Sequence, residues 1–236
     1  MDQQPDAFLI VEKGDPHQKG QILPLPSSRV LLGRTWESHQ PDISFDSLHI
    51  SRRHAVIACV DGRYTVTDQP ESKHGTIVND RQLEKNVPCP LQDGDRMVLG
   101  RGEVELLFYS SVAPGVTLDY RDEASCKDAE AGLALNEDRV EVLLNGRVVI
   151  RGNTHEYRLF RLLWLNRGRA VDFDTIKKEV WGKDRGNKRV EDERGIADVS
   201  DYEMQALVHR LRDRLGEGRG LLRNLPRYGY LLEDGS

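Results

Sequence analysis

Two different hydrophobic patterns follow one another in this chain, and this change constrains its fold more than any other feature. From Phe8 to Tyr109, short apolar or alternating runs are separated by clusters of Gly, Pro, Asp and Ser, without a helical period. After residue 132, apolar residues recur at helical spacing between shorter strand-like runs. Because strands and helices place side chains with different periods, the change in a chain of 236 residues predicts two domains.

The first pattern predicts an all-β sandwich over residues 1–109, since regular short strands with turn residues between them are typical of that fold. Residues 110–132 are small, acidic and without a steady period, so we predict a linker there, with a flexible loop or a short docked helix as the alternatives. Residues 133–236 are predicted to form a compact α+β unit.

Within the α+β unit, the dipeptide Asn145-Gly146 predicts a β-hairpin. A first helix is predicted to open at 154–157 with Thr154 as its N-cap, and a second covers about 174–181. A third covers about 200–215 and ends at Gly216. The tail GLLRNLPRYGYLL then has the pattern of a β-ribbon.

Four short motifs stand in order within the first pattern. They are Gly33-Arg34, then SRRHA at 51–55, then HGTIVN at 74–79, then LQDGD at 91–95 with Leu99-Gly100. Together they resemble the forkhead-associated (FHA) domain over nearly all of residues 8–109. The resemblance implies an eleven-stranded β-sandwich whose loops at one end bind phosphothreonine peptides.

The predicted phosphothreonine-binding residues are Arg34, Ser51, Arg52, Lys73 and His74. An arginine can form a bidentate pair with phosphate, and a serine adds a hydroxyl donor. The resemblance implies that Arg34 and Ser51 hold the phosphate and that Arg52 reaches the peptide backbone and the residues after the phosphothreonine.

The chain departs from the FHA pattern at two of these positions. Lys73 stands where the family usually has Ser or Thr, and His74 stands where it usually has an Asn that contacts the peptide backbone. Lysine can attract phosphate as a point charge, and histidine can donate a hydrogen bond. The same resemblance implies structural roles for His54 and Gly75, which would brace the loops.

The second pattern has its own resemblance. The stretch THEYRLFRLLWLNRGRAVDFDTIKKEVWG, with LVHRLRDRLG and LPRYGYLL after it, is similar to the effector domain of OmpR/PhoB-type regulators. The resemblance implies a winged helix-turn-helix with a four-stranded N-terminal sheet, three helices and a C-terminal β-hairpin wing. It also implies that the third helix enters the major groove and that the wing contacts the neighbouring minor groove.

The third predicted helix is amphipathic, since Met204, Leu207, Val208, Leu211 and Leu215 fall on one face at 100° per residue. Glutamine and arginine side chains suit base edges, and further arginines suit phosphates. The predicted DNA-binding residues on the helix and the following hairpin are Tyr202, Gln205, His209, Arg210, Arg212, Arg223 and Arg227.

The charge of the chain is unevenly divided. Residues 1–133 carry 14 Lys and Arg against 21 Asp and Glu, a net charge of −7, whereas residues 134–236 carry 20 against 18, a net +2. Six arginines lie within 205–227 against Asp213 and Glu217. Because a DNA-binding surface depends on such a local patch, the total of −5 does not exclude one.

No P-loop, zinc-protease, nucleophile-elbow or kinase motif occurs in the sequence, so we expect a protein that is not an enzyme and needs no cofactor or metal. The three cysteines are far apart, which favours reduced thiols. Without a signal peptide or a long apolar run, we expect a cytoplasmic protein.

These observations together predict a bacterial transcription regulator. Its expected partners are double-stranded DNA and a threonine-phosphorylated protein, such as a Ser/Thr kinase or its substrate, with pairing of two chains on DNA. Three alternatives stay open. They are a signalling adaptor whose winged helix binds protein, an FHA domain that binds unphosphorylated surfaces, and an undetected enzyme.

Overall fold

A computed structural model of the chain describes residues 7–25, 28–36, 40–110, 132–182 and 196–233. The chain forms two compact units, Met1–Arg121 and Asp122–Ser236. Most of the predicted linker, 110–132, lies outside the described residues, as does most of the charged segment that follows the second predicted helix.

The N-terminal unit is a β-sandwich. Its eleven described strands are β1 (Ala7–Lys13), β2 (Ile22–Leu25), β3 (Arg29–Gly33), β4 (Ile43–Ser44), β5 (Ala55–Val60), β6 (Arg63–Asp68), β7 (Thr76–Val78), β8 (Arg81–Gln82), β9 (Pro88–Pro90), β10 (Arg96–Leu99) and β11 (Val104–Ser110). They form a six-stranded sheet, in the order β2-β1-β11-β10-β7-β8, and a five-stranded sheet, in the order β4-β3-β5-β6-β9.

The alternation seen in the sequence explains the core between these sheets. In β6, for example, Tyr64, Val66 and Asp68 are buried while the residues between them are more exposed. The strand β1, which pairs with β2 on one side and β11 on the other, is buried over its first five residues. The predicted β-sandwich is confirmed.

Strand register brings several loops to one end of the sandwich. In the five-stranded sheet, Leu32 pairs with both Ile43 and Ala55, and Ala55 also pairs with Asp68. The segments after β3, before β5 and after β6 therefore lie at the same end. In the six-stranded sheet, Leu99 pairs with Thr76 and Val104. The start of β7 and the β10–β11 turn therefore lie next to each other at one end of that sheet.

The C-terminal unit combines two small antiparallel sheets with three helices. Its described elements are β12 (Leu133–Asn136), β13 (Glu141–Leu144), β14 (Arg147–Arg151), α1 (His155–Leu165), β15 (Ala170–Asp172), α2 (Phe173–Trp181), α3 (Asp201–Leu215), β16 (Leu222–Leu225) and β17 (Gly229–Leu232). The sheet orders are β12-β13-β14 and β15-β17-β16.

The helices begin where the sequence predicts. The hydroxyl of Thr154 caps α1, the carboxylate of Asp172 caps α2, and Ser200 forms a capping box with Glu203 at α3. All five predicted apolar residues on the inner face of α3 are buried. None of the three helices in the described part of the chain is long and apolar enough to cross a membrane.

Local turn predictions also hold in this unit. Asn145 and Gly146 both have positive φ, 50° and 76°, as a two-residue hairpin turn requires, and they join β13 to β14. Helix α3 ends at Gly216, after which residues 216–221 continue as a 3₁₀ turn.

Two features of this unit differ from the expectations. The first sheet has three strands in the described residues, not the four that the resemblance implies. Strand β15 was not predicted, since it has only three residues and forms by pairing with the distant β17. A Cβ atom at Gly229 would lie 1.9 Å from the carbonyl oxygen of Val171, so this pairing depends on a glycine.

Candidate functional site

Arg34 lies at the gathered loop end of the sandwich, directly after β3. Its backbone amide donates to the carbonyl of Ser51 at 3.2 Å, and its Nε donates to the carbonyl of Ile50 at 3.3 Å. The two terminal nitrogens of its guanidinium have no hydrogen-bond partner among the described residues. A half-buried arginine held in this way presents a fixed pair of donors to a ligand.

The close approach of Arg34 to Ser51 depends on Gly33. A Cβ atom at Gly33 would lie 2.1 Å from the carbonyl oxygen of Arg52, which no side chain can tolerate. The end of β3 therefore packs against the 51–52 turn only because residue 33 has no side chain.

Ser51 connects two loops. Its backbone amide donates to Nδ1 of His54 at 3.0 Å, and its Oγ accepts from the backbone amide of Lys73 at 3.1 Å. Because Oγ acts as the acceptor in this contact, the hydroxyl proton of Ser51 is available to a ligand. The contact also places Lys73 beside Ser51.

His54 is fully buried beneath this site. Its Nδ1 accepts from Ser51, so the neutral ring carries its proton on Nε2, which donates to the carbonyl of Gly75 at 3.0 Å. Burial lowers the pKa of His54 below 6.5 and outweighs the opposing effects of the Gly75 carbonyl and of Asp68. The ring is therefore neutral at pH 7, as this hydrogen-bond pattern requires.

A buried polar cluster fixes the loop that leads into β7. The hydroxyl of Thr76 donates to Asp68 at 3.0 Å, and Lys85 forms an ion pair with the same carboxylate at 2.6 Å. The amide of Gly75 donates to the hydroxyl of Ser72 at 3.0 Å. Gly75 has a φ of +69°, and a Cβ atom there would lie 2.1 Å from Nε2 of Gln82, so its predicted structural role fits.

The remaining predicted phosphothreonine-binding residues lie around Ser51. The guanidinium of Arg52 lies 4.1 Å from the centre of the Trp36 ring, a cation–π contact that holds it at the rim. Lys73 is exposed, and His74 is half-buried with its ring edge-on to His49, at 5.4 Å between ring centres. The structure therefore brings all five predicted residues to one end of the sandwich.

His49 and Arg101 also lie at this end of the sandwich and were not predicted to belong to the site. Both act on His74: partial burial lowers the pKa of His74, and electrostatic repulsion from Arg101, His49 and Lys73 lowers it further. Neither Arg101 nor His49 belongs to a motif, although the glycines on both sides of Arg101 indicate a tight turn. No group of three or more His, Cys, Asp or Glu side chains in the described ranges could hold a metal ion.

In the C-terminal unit, three predicted DNA-binding residues lie on the exposed face of α3. Tyr202 is 81% exposed, and Gln205 and His209 are also exposed. The imidazole of His209 lies 3.0 Å from the carboxylate of Asp213, one helical turn later.

Three predicted arginines have partners inside the unit. Arg210 donates through Nε to Glu156 of α1 at 2.7 Å, Arg212 donates to the carbonyl of Leu222 at 2.9 Å, and Arg223 pairs with Glu233 at 3.0 Å. Each of these contacts joins elements of the unit, so these side chains also have structural roles.

The pKa of Glu156 reflects its pairing with Arg210. Burial raises the pKa of Glu156, but hydrogen bonds from Arg210, from its own amide and from Thr154 outweigh burial and lower it. Arg227, in contrast, is exposed in the turn between β16 and β17, with a φ of +65°.

A protein-family model matches part of the first unit. Residues 30–100, from β3 to the end of β10, match the family model of the FHA domain. This part of the chain is an FHA domain. FHA domains are phosphothreonine-binding modules of signalling proteins. The resemblance of the N-terminal motifs is confirmed, and that of the C-terminal motifs stays a prediction.

Solved structures that contain FHA domains are also similar to this chain. The FHA domain of an Arabidopsis thaliana hypothetical protein is 26% identical, with a TM-score of 0.40, and the match covers 48% of this chain and 91% of that one. Mycobacterium tuberculosis EmbR in complex with a low-affinity phosphopeptide is 29% identical, with a TM-score of 0.38, and the match covers 48% of this chain and 27% of that one. The FHA domain of the CT664 protein from Chlamydia trachomatis is 25% identical, with a TM-score of 0.37, and the match covers 43% of this chain and 94% of that one. No match was found among curated proteins.

The depressed pKa of His54 predicts a stability that depends on pH. The unfolded chain takes up a proton near pH 6.5, whereas folded His54 does so only at lower pH. The contribution of neutral His54 is therefore complete above pH 6.5 and is lost as the pH falls towards the pKa of the folded state. We expect the free energy of unfolding of the FHA domain to fall over this window.

This expectation can be checked by denaturant unfolding followed through the amide NMR signals of β1 and β11, with a parallel titration of the histidine ring signals. In His54→Asn, a less stable variant, the pH dependence over the same window should weaken, and the remainder is expected from His74, whose pKa is also lowered. A dependence that persists unchanged in His54→Asn would assign it to other groups and contradict the prediction.

Proposed function

We propose that this chain is a bacterial transcription regulator that is not an enzyme. Its FHA domain binds threonine-phosphorylated protein, and its C-terminal unit binds duplex DNA as a winged helix. The observation that carries the proposal is the convergence of Arg34, Ser51 and Lys73 at one end of the sandwich, with hydrogen bonds that fix all three backbones.

The chemistry of this end suits a phosphate group. The terminal nitrogens of Arg34 can donate two parallel hydrogen bonds, the hydroxyl of Ser51 adds a third, and the ammonium of Lys73 adds charge. Arg52, held over Trp36, is placed for the peptide on the rim. The ligand is a phosphothreonine segment of a signalling protein, such as a Ser/Thr kinase or a kinase substrate.

The C-terminal unit supplies the DNA-binding surface. Helix α3 buries one face and exposes Tyr202, Gln205 and His209 on another, which is how a recognition helix presents side chains to the major groove. Arg227 at the tip of the β16–β17 hairpin suits a backbone or minor-groove contact. The contact of Arg210 Nε with Glu156 neutralises part of the charge of this arginine and restrains its side chain.

A second candidate function is supported by the same ion pairs. Because Arg210, Arg212 and Arg223 have partners within the unit, the positive charge available to DNA phosphates is smaller than the sequence indicates. A surface of this kind also suits a protein partner, as in a signalling adaptor. A gel-shift assay over a range of salt concentrations separates the two functions, since DNA binding weakens with salt.

The phosphate site makes a direct prediction. Charge-assisted hydrogen bonds contribute about 1.5–3 kcal/mol each, so Arg34→Ala should weaken phosphothreonine-peptide binding by roughly tenfold or more. Ser51→Ala removes a neutral donor and should weaken it by about threefold to tenfold. Titration calorimetry with peptides chosen from an oriented phosphothreonine library measures both effects.

Arg63→Ala is the matched control. Arg63 is an exposed arginine that pairs with Val60, at the end of β5 that lies away from His54. It should bind as the unchanged protein does. If the library contains no peptide whose binding depends on Arg34, the FHA domain does not bind phosphothreonine and this half of the proposal fails.

The Arg210–Glu156 pair gives a test of the DNA surface. Arg210→Ala should cost about 1–3 kcal/mol at a specific site. Glu156→Gln releases Arg210 and should strengthen binding by about twofold to fivefold, the size of a partly exposed ion pair. The double variant should show no such gain. Binding is measured by fluorescence anisotropy on DNA selected with the full chain.

The outcome that contradicts this role is a loss of binding in Glu156→Gln similar to that in Arg210→Ala. The pair would then serve only to hold α3 against α1. Arg227→Ala should weaken binding evenly across DNA sequences and reduce the salt dependence, as expected for a phosphate contact.

The two halves of the proposal are joined by pairing of chains on DNA. A single winged helix buries little DNA surface, so one copy is expected to bind weakly. A phosphorylated partner that holds two chains at adjacent sites would raise affinity by about 10²–10⁴ through effective concentration. DNA affinity and solution mass should therefore both rise with a saturating bivalent phosphothreonine partner. If neither changes, the two units act independently.

A further inference from the structure

We propose that the outer edge of strand β14 is a docking site for an extended segment of a partner protein, with acidic residues at both ends of a short apolar core. The segment adds a strand to the β12-β13-β14 sheet. This inference depends neither on phosphothreonine binding by the FHA domain nor on DNA binding by helix α3.

Strand β14 lies at one edge of its sheet. The sheet order is β12-β13-β14, so β14 pairs with β13 on one side and with no strand on the other in the described part of the chain. The unpaired edge of a strand presents backbone N–H and C=O groups that another strand can bind. The sequence of β14, RVVIR, has a β-branched centre, which favours such pairing.

A cavity of about 530 Å³ runs along this edge. Four consecutive residues of β14, Val148 to Arg151, line it together with Thr154, Glu156 and Arg214. Because successive side chains of a strand point to opposite faces, a cavity that touches four in a row lies beside the strand and not over one face. There is therefore room for an added chain next to β14, between the start of α1 and the end of α3.

The middle of this edge is apolar. Val148 is 41% exposed, and Val149 is half-buried. Leu143 pairs with Val148 and Val142 pairs with Ile150, so Val149 forms a β-bulge in β14. An added strand would cover the exposed apolar surface, and this burial adds favourable free energy to the modest net contribution of backbone hydrogen bonds.

The ends of the edge are positively charged, which restricts the partner. Arg147 and Arg151 flank the apolar core, Arg214 lies beside it, and all three are exposed. The carboxylate of Glu156, which also lines the cavity, is paired with Arg210 at 2.7 Å. A segment with acidic residues opposite the flanking arginines therefore gains favourable cross-strand charge pairs.

The same charges disfavour a second copy of the chain as the occupant. If two β14 strands paired antiparallel about their centres, Arg147 of one copy would lie opposite Arg151 of the other. Like charges directly opposite each other destabilise a sheet. Glu141 pairs with Arg151 at 2.9 Å, but the arginine side chain stays 74% exposed. Edge arginines and the bulge at Val149 also limit non-specific pairing, so a segment of opposite charge is favoured.

The test begins with a random library of short linear peptides selected on the full chain. We expect enrichment of sequences in which acidic residues flank an apolar, β-branched core. The affinity of an enriched peptide is then measured by fluorescence anisotropy. If no sequence of this kind is enriched, the proposal is overturned.

Two substitutions at exposed positions test the site itself. Val148→Asp places a negative charge in the apolar core and should weaken binding of the acidic peptide by roughly tenfold. Arg147→Glu should weaken it by about twofold to tenfold, because attraction at a partly exposed pair becomes repulsion. A peptide with lysines in place of the acidic residues should bind Arg147→Glu better than it binds the unchanged chain.

Arg169→Glu is the matched control, since it changes the net charge by the same amount as Arg147→Glu. Arg169 is an exposed arginine between α1 and β15, and it lies neither in β14 nor in the described lining of the cavity. It should leave the affinities for both peptides as they are.

Modification of the peptide backbone separates strand addition from a general attraction between acids and arginines. In an added strand, the amides of alternate residues face β14 and the others face away. N-methylation of one alternate set should abolish binding, and N-methylation of the other should leave most of it. Equal effects of the two sets, unchanged binding to Val148→Asp, or a dimer of the free chain that Val148→Asp dissociates would each overturn the proposal.

Discussion

The hydrogen bonds of one buried imidazole hold the candidate phosphate site together. His54 accepts from Ser51, which precedes β5 of the five-stranded sheet, and donates to Gly75, which precedes β7 of the six-stranded sheet. One side chain thus joins loops from both sheets. An apolar replacement would leave a partly buried amide and a buried carbonyl without partners, at a cost of about 1–3 kcal/mol for the buried carbonyl. The spacing between Arg34 and Lys73 depends on this link.

Much of the FHA domain could be predicted because its motif residues stand where strands end. Arg34 follows β3, and Ser51 and His54 precede β5, so a sequence pattern that marks the loops also marks the site. His49 and Arg101 could not be predicted in this way. Their proximity to His74 follows from the pairing of Leu99 with Thr76 and from the packing of Gly100 on Ile50, and neither contact leaves a local signal.

In helix α3, too, the buried face could be predicted from the sequence, whereas the partners of its charged side chains could not. Its period of 3.6 residues predicted the five buried side chains. It gave no sign that Arg210 pairs with Glu156, which lies 54 residues earlier on another helix. Periodicity assigns a residue to a face, but the partner of a charge on that face is set by tertiary packing. Counting arginines therefore overstated the charge available on the proposed DNA surface.

The uneven charge also limits how the two units could communicate. Residues 1–133 carry a net −7, and a bound phosphothreonine segment adds further negative charge to this half. Such charge can only oppose the approach of DNA, and over more than about 8 Å it is largely screened at physiological salt. Ligand binding would thus give no electrostatic help to DNA binding. If phosphothreonine binding promotes DNA occupancy, the gain has to come from bringing chains together, since effective concentration acts whatever the sign of the charge.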